Sequence, residues 1–109
     1  MIVRVLTARV PPERAAAFNS KLRQQLPVLR EQPGLVYVKL ARRLGETDQE
    51  IVLIEEWRDI ASLYGWTGPE LAKVRLVPGS EDLVDEVMVT HYEALDIDLD
   101  EGGAPVWSP

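Results

Sequence analysis

The first apolar positions run together. Ile2-Val3-Arg4-Val5-Leu6 and the residues up to Val10 form a short stretch rich in β-branched side chains, which predicts a strand. The period then changes. Ala15, Phe18, Leu22, Leu26 and Leu29 recur at spacings of three and four and draw one apolar stripe along a helix. Pro11-Pro12-Glu13 opens that helix: proline suits a first turn that needs no N–H, and an acid favours the positive end of the dipole. Pro27 falls inside the stripe and predicts a kink or a split last turn, and Pro33-Gly34 ends the helix.

Leu35 to Leu44 then reads as a strand, Gly45-Glu46-Thr47-Asp48 as a polar turn, and Glu50 to Trp57 as the returning strand of a hairpin. Asp59 is placed to N-cap a short helix through Leu63 and Tyr64. Thr67-Gly68-Pro69-Glu70 interrupts it, a second helical piece carries Leu71 and Val74, and Pro78-Gly79-Ser80 stops that piece. Val84 to Leu95 predicts the last long strand. The order is β-α-β-β-α-β, a ferredoxin-like α+β arrangement with both helices on one face of an antiparallel sheet. Residues 1–95 make this single domain, and residues 96–109 form a C-terminal tail.

The strands lack the clean alternation of a sheet with one wet face. Val36, Val38 and Leu40 point one way, and Leu35, Tyr37 and Ala41 the other, with Lys39 among them. Val52 and Ile54 oppose Ile51, Leu53 and Trp57, while Val87 and Val89 oppose Met88 and Tyr92. Two helices cover one face only. The second, semi-apolar face predicts a partner, and the expected partner is a second copy of the chain. The tail alternates Asp96, Asp98 and Asp100 with Ile97 and Leu99, which suits an extended segment laid on a surface such as the partner subunit's.

Composition narrows the chemistry. The chain has 109 residues, 46% hydrophobic and 28% charged, which fits one globular domain with one core. Its net charge of −6 argues against nucleic acid or an anionic membrane as partner. Without cysteine there is no disulfide, zinc-thiolate site, iron–sulfur cluster or thiol catalysis. No apolar run approaches membrane-spanning length, and the first residues lack the zones of a signal peptide, so a cytoplasmic location is expected. The single histidine, His91, excludes a His-pair metal site, and no metal or other cofactor is expected. Asp96-x-Asp98-x-Asp100 is no calcium loop, because Glu101 stands where glycine is needed and Trp107 where glutamate is needed.

Pro33-Gly34 before an apolar strand, Glu55-x-Trp57-x-Asp59 running into a helix, and Tyr64-Gly65-Trp66 near its end together resemble the antibiotic biosynthesis monooxygenase (ABM) domain, over roughly Ile2 to Leu95. The resemblance implies a dimeric α/β barrel in which two sheets face each other. It also implies a range of activities: cofactor-independent oxygenases of phenolic polyketides and quinols, haem-degrading enzymes, and members without known activity. Trp66 stands where relatives often place a pocket-bounding tryptophan. The iron-ligating histidine of the haem-degrading members has no match in Lys73-Val74-Arg75-Leu76, and their first-strand asparagine is replaced, with Thr7 nearest.

The candidate catalytic residues are His91, whose ordinary pKa suits a base near neutral pH, and Arg75, a cation for a substrate anion. Arg4 and Lys39 could serve likewise if they face a cavity, although arginine and lysine on a strand are most often solvated. Trp66, Tyr64, Tyr37 and Tyr92 are candidates to bind a flat, phenolic small molecule. Glu55 and Trp57 read first as the residues that hold the strand-to-helix corner. The leading reading is a cofactor-independent monooxygenase of a small phenolic or quinol-type substrate. The alternative is a non-catalytic dimeric barrel that binds an apolar metabolite, and haem binding or degradation ranks last.

Overall fold

A computed structural model of the chain describes residues 1–45, 49–68, 81–95, 97–99 and 105–107. Strand β1 (Ile2–Val10) leads into helix α1 (Pro12–Arg30), followed by the β2 (Leu35–Arg42) and β3 (Gln49–Trp57) hairpin, helix α2 (Ile60–Thr67), a 3-10 turn (Glu81–Leu83) and β4 (Glu86–Glu93). The four strands form one antiparallel sheet in the order β2-β3-β1-β4. The expected ferredoxin-like order is therefore present, and the elements that create it are those the apolar pattern marked. A separate antiparallel pair joins β5 (Ile97–Leu99) to β6 (Pro105–Trp107) in the tail, so the alternating acidic stretch pairs with a later part of the tail itself. The helical piece expected around Leu71 and Val74 lies outside the described residues. Among the described residues no helix is long and apolar enough to cross a membrane.

Helix α1 runs unbroken through Pro27, so of the kink or split last turn that the sequence predicts, the split does not occur. The proline ring is exposed, so the missing N–H bond is lost on the solvated side and the stripe of Phe18, Leu22 and Leu29 stays buried. Strand β2 stops at Arg42 rather than Leu44. The backbone N–H of Arg43 makes the last ladder bond to the Glu50 carbonyl at 3.0 Å, and Leu44 is already in the turn, 91% exposed. Strand β4 begins at Glu86, where the Asp85 N–H caps the ladder on the Arg9 carbonyl at 2.9 Å, and it ends before Leu95.

Register assigns the faces. Leu6, Ala8 and Val10 of β1 are buried with Phe18 and Leu22 of α1 and Ile51 of β3, so this parity faces the helices. A second buried cluster joins Leu29 of α1, Trp57 at the end of β3, and Leu63 and Trp66 of α2. The expected alternation of β2 fails at its start. A bulge between Leu35 and Tyr37 puts Leu35 and Val38 on the same side, packed against this second cluster, and turns Val36 out. Gly34 permits the corner before it: its φ is +84°, and a Cβ there would collide with Ser62 of α2. Asp59 caps α2 as the sequence predicts, accepting from the Ser62 N–H at 2.8 Å.

Candidate functional site

The helix-facing side of the sheet is apolar at both ends and charged in the middle. Arg4 lies between Ile2 and Leu6 on β1, and Glu55 lies between Leu53 and Trp57 on β3. Register sets Val38, Glu55, Arg4 and His91 in one row across all four strands. Neighbours in such a row hold their Cβ atoms about 5 Å apart. Arg4, Glu55 and Trp57 are each 0% exposed. The strand-borne Arg4 is thus buried, against the expectation of a solvated side chain. The reason is parity, because Arg4 shares the face of Leu6, Ala8 and Val10. Lys39, by contrast, sits on the opposite face and is exposed.

Both carboxylate oxygens of Glu55 are used. Arg4 Nη1 donates to Oε2 at 2.9 Å, and Trp57 Nε1 donates to Oε1 at 2.9 Å. Burial pushes the Glu55 carboxyl above its ordinary value, and the Arg4 charge and the two hydrogen bonds pull it part of the way back. Arg4 has more donors than Glu55 can take. Among the described residues its Nε and Nη2 are buried without a hydrogen-bond partner, and so is Nε2 of His91 on the neighbouring strand. Burial, and then the Arg4 charge, hold the His91 imidazole below its ordinary value of 6.5, which keeps it neutral at physiological pH.

That shift has a sign. The unfolded chain takes up a proton on its histidine as pH falls through about 6.5, and the folded chain resists it, so His91 contributes stability that is present above 6.5 and lost below it. Glu55, raised from 4.5, acts in the opposite direction across the acid range, and Asp59, lowered from 3.8, withdraws its contribution only as pH falls below 3.8. The difference in Tm between the native chain and His91→Gln isolates the histidine. It is expected to be flat above pH 6.5 and to shrink steadily below it. Thermal melts read by circular dichroism across that range check this.

The candidate side chains divide between the two faces. His91 joins Arg4 and Glu55 on the helix side. Trp66 shares a buried cluster with Trp57, whose indole donates to Glu55; Glu55 holds Arg4, and Arg4 stands in register with His91 on the neighbouring strand. Tyr64 lies on the outer part of α2, 38% exposed. Tyr37 and Tyr92 stand on the open face of the sheet, on its two edge strands, away from His91. Thr7 also lies on the open face. Arg75 lies outside the described residues. Sequence reading gave Glu55 a corner role only, yet its parity with Ile51, Leu53 and Trp57, matched to that of Arg4, was the available signal.

The open face carries Val3, Val5, Val52 and Ile54 at its centre, with Tyr37, Met88 and Tyr92 exposed around them. A cleft of about 480 Å³ at one end is lined by Arg9, Glu50 and Glu86, which are already held in mutual ion pairs. Among the described residues no group of three or more acidic, histidine or cysteine side chains is arranged to hold a metal ion.

The family model of the antibiotic biosynthesis monooxygenases matches residues 1–83. No curated protein matches the chain. Among solved structures, a candidate antibiotic biosynthesis monooxygenase from Deinococcus radiodurans is 18% identical, with a TM-score of 0.74 over 88% of this chain and 94% of that one. PA3566 from Pseudomonas aeruginosa is 22% identical, with a TM-score of 0.70 over 87% of this chain and 94% of that one. A point mutant of MhuD, solved with two manganese protoporphyrin IX molecules per active site, is 14% identical, with a TM-score of 0.63 over 90% of this chain and 99% of that one. At these identities the likeness establishes a shared fold.

Proposed function

The chain belongs to the antibiotic biosynthesis monooxygenase family, and on that premise we propose that it is a cofactor-independent monooxygenase acting on a small phenolic or quinol-type substrate at the buried Arg4 and its strand neighbour His91. The observation that carries this reading is that His91 stands in register with Arg4 on the helix-facing side of the sheet, and that His91 Nε2 and Arg4 Nε and Nη2 are buried without a hydrogen-bond partner among the described residues. A purely apolar ligand would leave those nitrogens unpaired, which favours a ligand bearing oxygen over the alternative of an apolar-metabolite barrel.

His91 accepts the phenolic proton, and Arg4 stabilises the phenolate oxygen. The electron-rich anion passes one electron to dioxygen, and the resulting radical pair joins as a carbon–oxygen bond. The imidazolium returns its proton to the peroxide. Loss of the ring proton at that carbon then breaks the O–O bond and expels water. Phenol and dioxygen become quinone and water, so the substrate supplies all four electrons that dioxygen takes up. Trp66 bounds the ring, with Tyr64 nearby on the same helix, and Arg75 is a second cation of the right type for the anion. Oxygen uptake with a panel of naphthols and naphthoquinols, in the presence of a chelator, tests the reading. Enzyme-dependent uptake supports it, and none above the buffer rate rejects it.

The assembly proposed is a homodimer through the open face, in the cytoplasm, with Tyr37 and Tyr92 lining the space between subunits and the tail laid on the partner. An exposed apolar surface of this kind marks an interface in a soluble protein. Light scattering at micromolar concentration is expected to give twice the chain mass, and truncation after Leu95 is expected to weaken dimerisation. A soluble monomer would reject the assembly. Haem is expected not to bind stoichiometrically, since Lys73-Val74-Arg75-Leu76 offers no histidine and His91 sits against a cation. Haem titration followed at the Soret band checks this, and a sharp band at one equivalent would contradict it.

A further inference from the structure

The donors that Arg4 leaves unused form a particular shape. Nη1 is committed to Glu55, while the free pair is Nε and Nη2. In a guanidinium those two N–H bonds lie side by side and point the same way, the edge that forks onto two oxygens of one planar group. Arg4 is 0% exposed, so this edge is removed from bulk water. A lysine would satisfy Glu55 equally well and leave no such fork. Two charged donors left unpaired in the interior cost more than one neutral one. His91 stands directly across β1–β4 from this side chain, on the same face, with its own Nε2 unpartnered.

We infer that the Nε/Nη2 edge of Arg4 is a receptor for a planar pair of adjacent ligand oxygens, either a carboxylate or the hydroxyl and carbonyl of an ortho-acyl phenol, with His91 bonding the same group. A simple phenol meets only one arm of the fork. This makes Arg4 the residue that sets specificity, by the number and spacing of oxygens rather than by the size of the ring. The inference rests on the reading of this site as a ligand pocket, and binding tests it apart from turnover.

Calorimetric titration under argon, where no oxygen is available for reaction, compares three ligands of one ring size: 1-hydroxy-2-acetonaphthone, 2-naphthoate and 1-naphthol. The native chain is expected to bind at least one of the two-oxygen ligands about tenfold or more tighter than 1-naphthol, as a bidentate charge-assisted pair implies. Which of the two prevails separates the acyl phenol from the carboxylate. Arg4→Lys keeps the charge beside Glu55 and removes the fork, and it is expected to cut the preference below about threefold. If that variant gives no cooperative melt, the neutral pair Arg4→Gln with Glu55→Gln replaces it with the same expected outcome. No binding, no preference in the native chain, or a preference that survives loss of the fork overturns the inference. A preference without oxygen uptake removes the oxygenase reading alone, and uptake without a preference removes the fork alone.

Discussion

Replacing Arg4 with methionine is expected to destabilise the fold by about 3–5 kcal/mol, because it strands the buried Glu55 carboxylate without its charged partner. Arg4 and Glu55 are both 0% exposed and joined at 2.9 Å, so solvent screening does little to soften the loss. For a domain of this size that corresponds to a fall in Tm of more than about 12 °C. The double variant Arg4→Met with Glu55→Leu removes both charges. It is expected to be more stable than the single variant, although Trp57 then loses the acceptor of its indole N–H, at a cost of about 1–3 kcal/mol. Melts of the native chain, the single variants Arg4→Met and Glu55→Leu, and the double variant complete the cycle. Equal Tm for Arg4→Met and the native chain would contradict the expected loss, and a double variant whose loss equals the sum of the two single losses would mean that the pair carries no coupling.

His91→Ala is expected to slow oxidation of a naphthol or naphthoquinol by about 10²–10⁴-fold while leaving the melt cooperative. The loss is expected in kcat more than in KM, because a base that removes the phenolic proton acts on the way to the transition state. A substrate whose hydroxyl is already ionised at the assay pH needs no base, and the variant is expected to recover most of its rate with such a substrate. A uniform loss across substrates of different acidity would point instead to a positioning role.

The fold was legible in the sequence because its signals were local and redundant. The α1 stripe of Phe18, Leu22 and Leu29, the Pro33-Gly34 stop and the Asp59 cap each fix one element, and the strand–helix order leaves few ways to assemble them. Where the reading differed, backbone detail decided. The bulge after Leu35 inserts one residue into the alternation of β2, and no side-chain pattern announces it. Pro27 did not split the last turn of α1 because it fell on the solvated side of the helix, a matter of phase rather than of composition.

The site was less legible. His91 and Trp66 attract notice by rarity and size, but what connects them is the buried row of Arg4, Glu55 and Trp57, and that row depends on register between strands more than fifty residues apart. Parity along β1 and β3 contained the information. It could be used only once Leu6 was paired with Leu53 and Arg4 with Glu55. Tyr37 and Tyr92 are chemically as suitable as Tyr64, and only the faces of the sheet separate them from His91.

The most direct test of the central claim is oxygen-isotope labelling. The chelator-treated protein is given a naphthol under ¹⁸O₂, and the quinone is analysed by mass spectrometry at early times, before carbonyl exchange with water. One ¹⁸O atom in the product, formed at a rate that depends on His91, is the predicted result. Product oxygen drawn from water, or labelled quinone formed equally fast by His91→Ala, would contradict it.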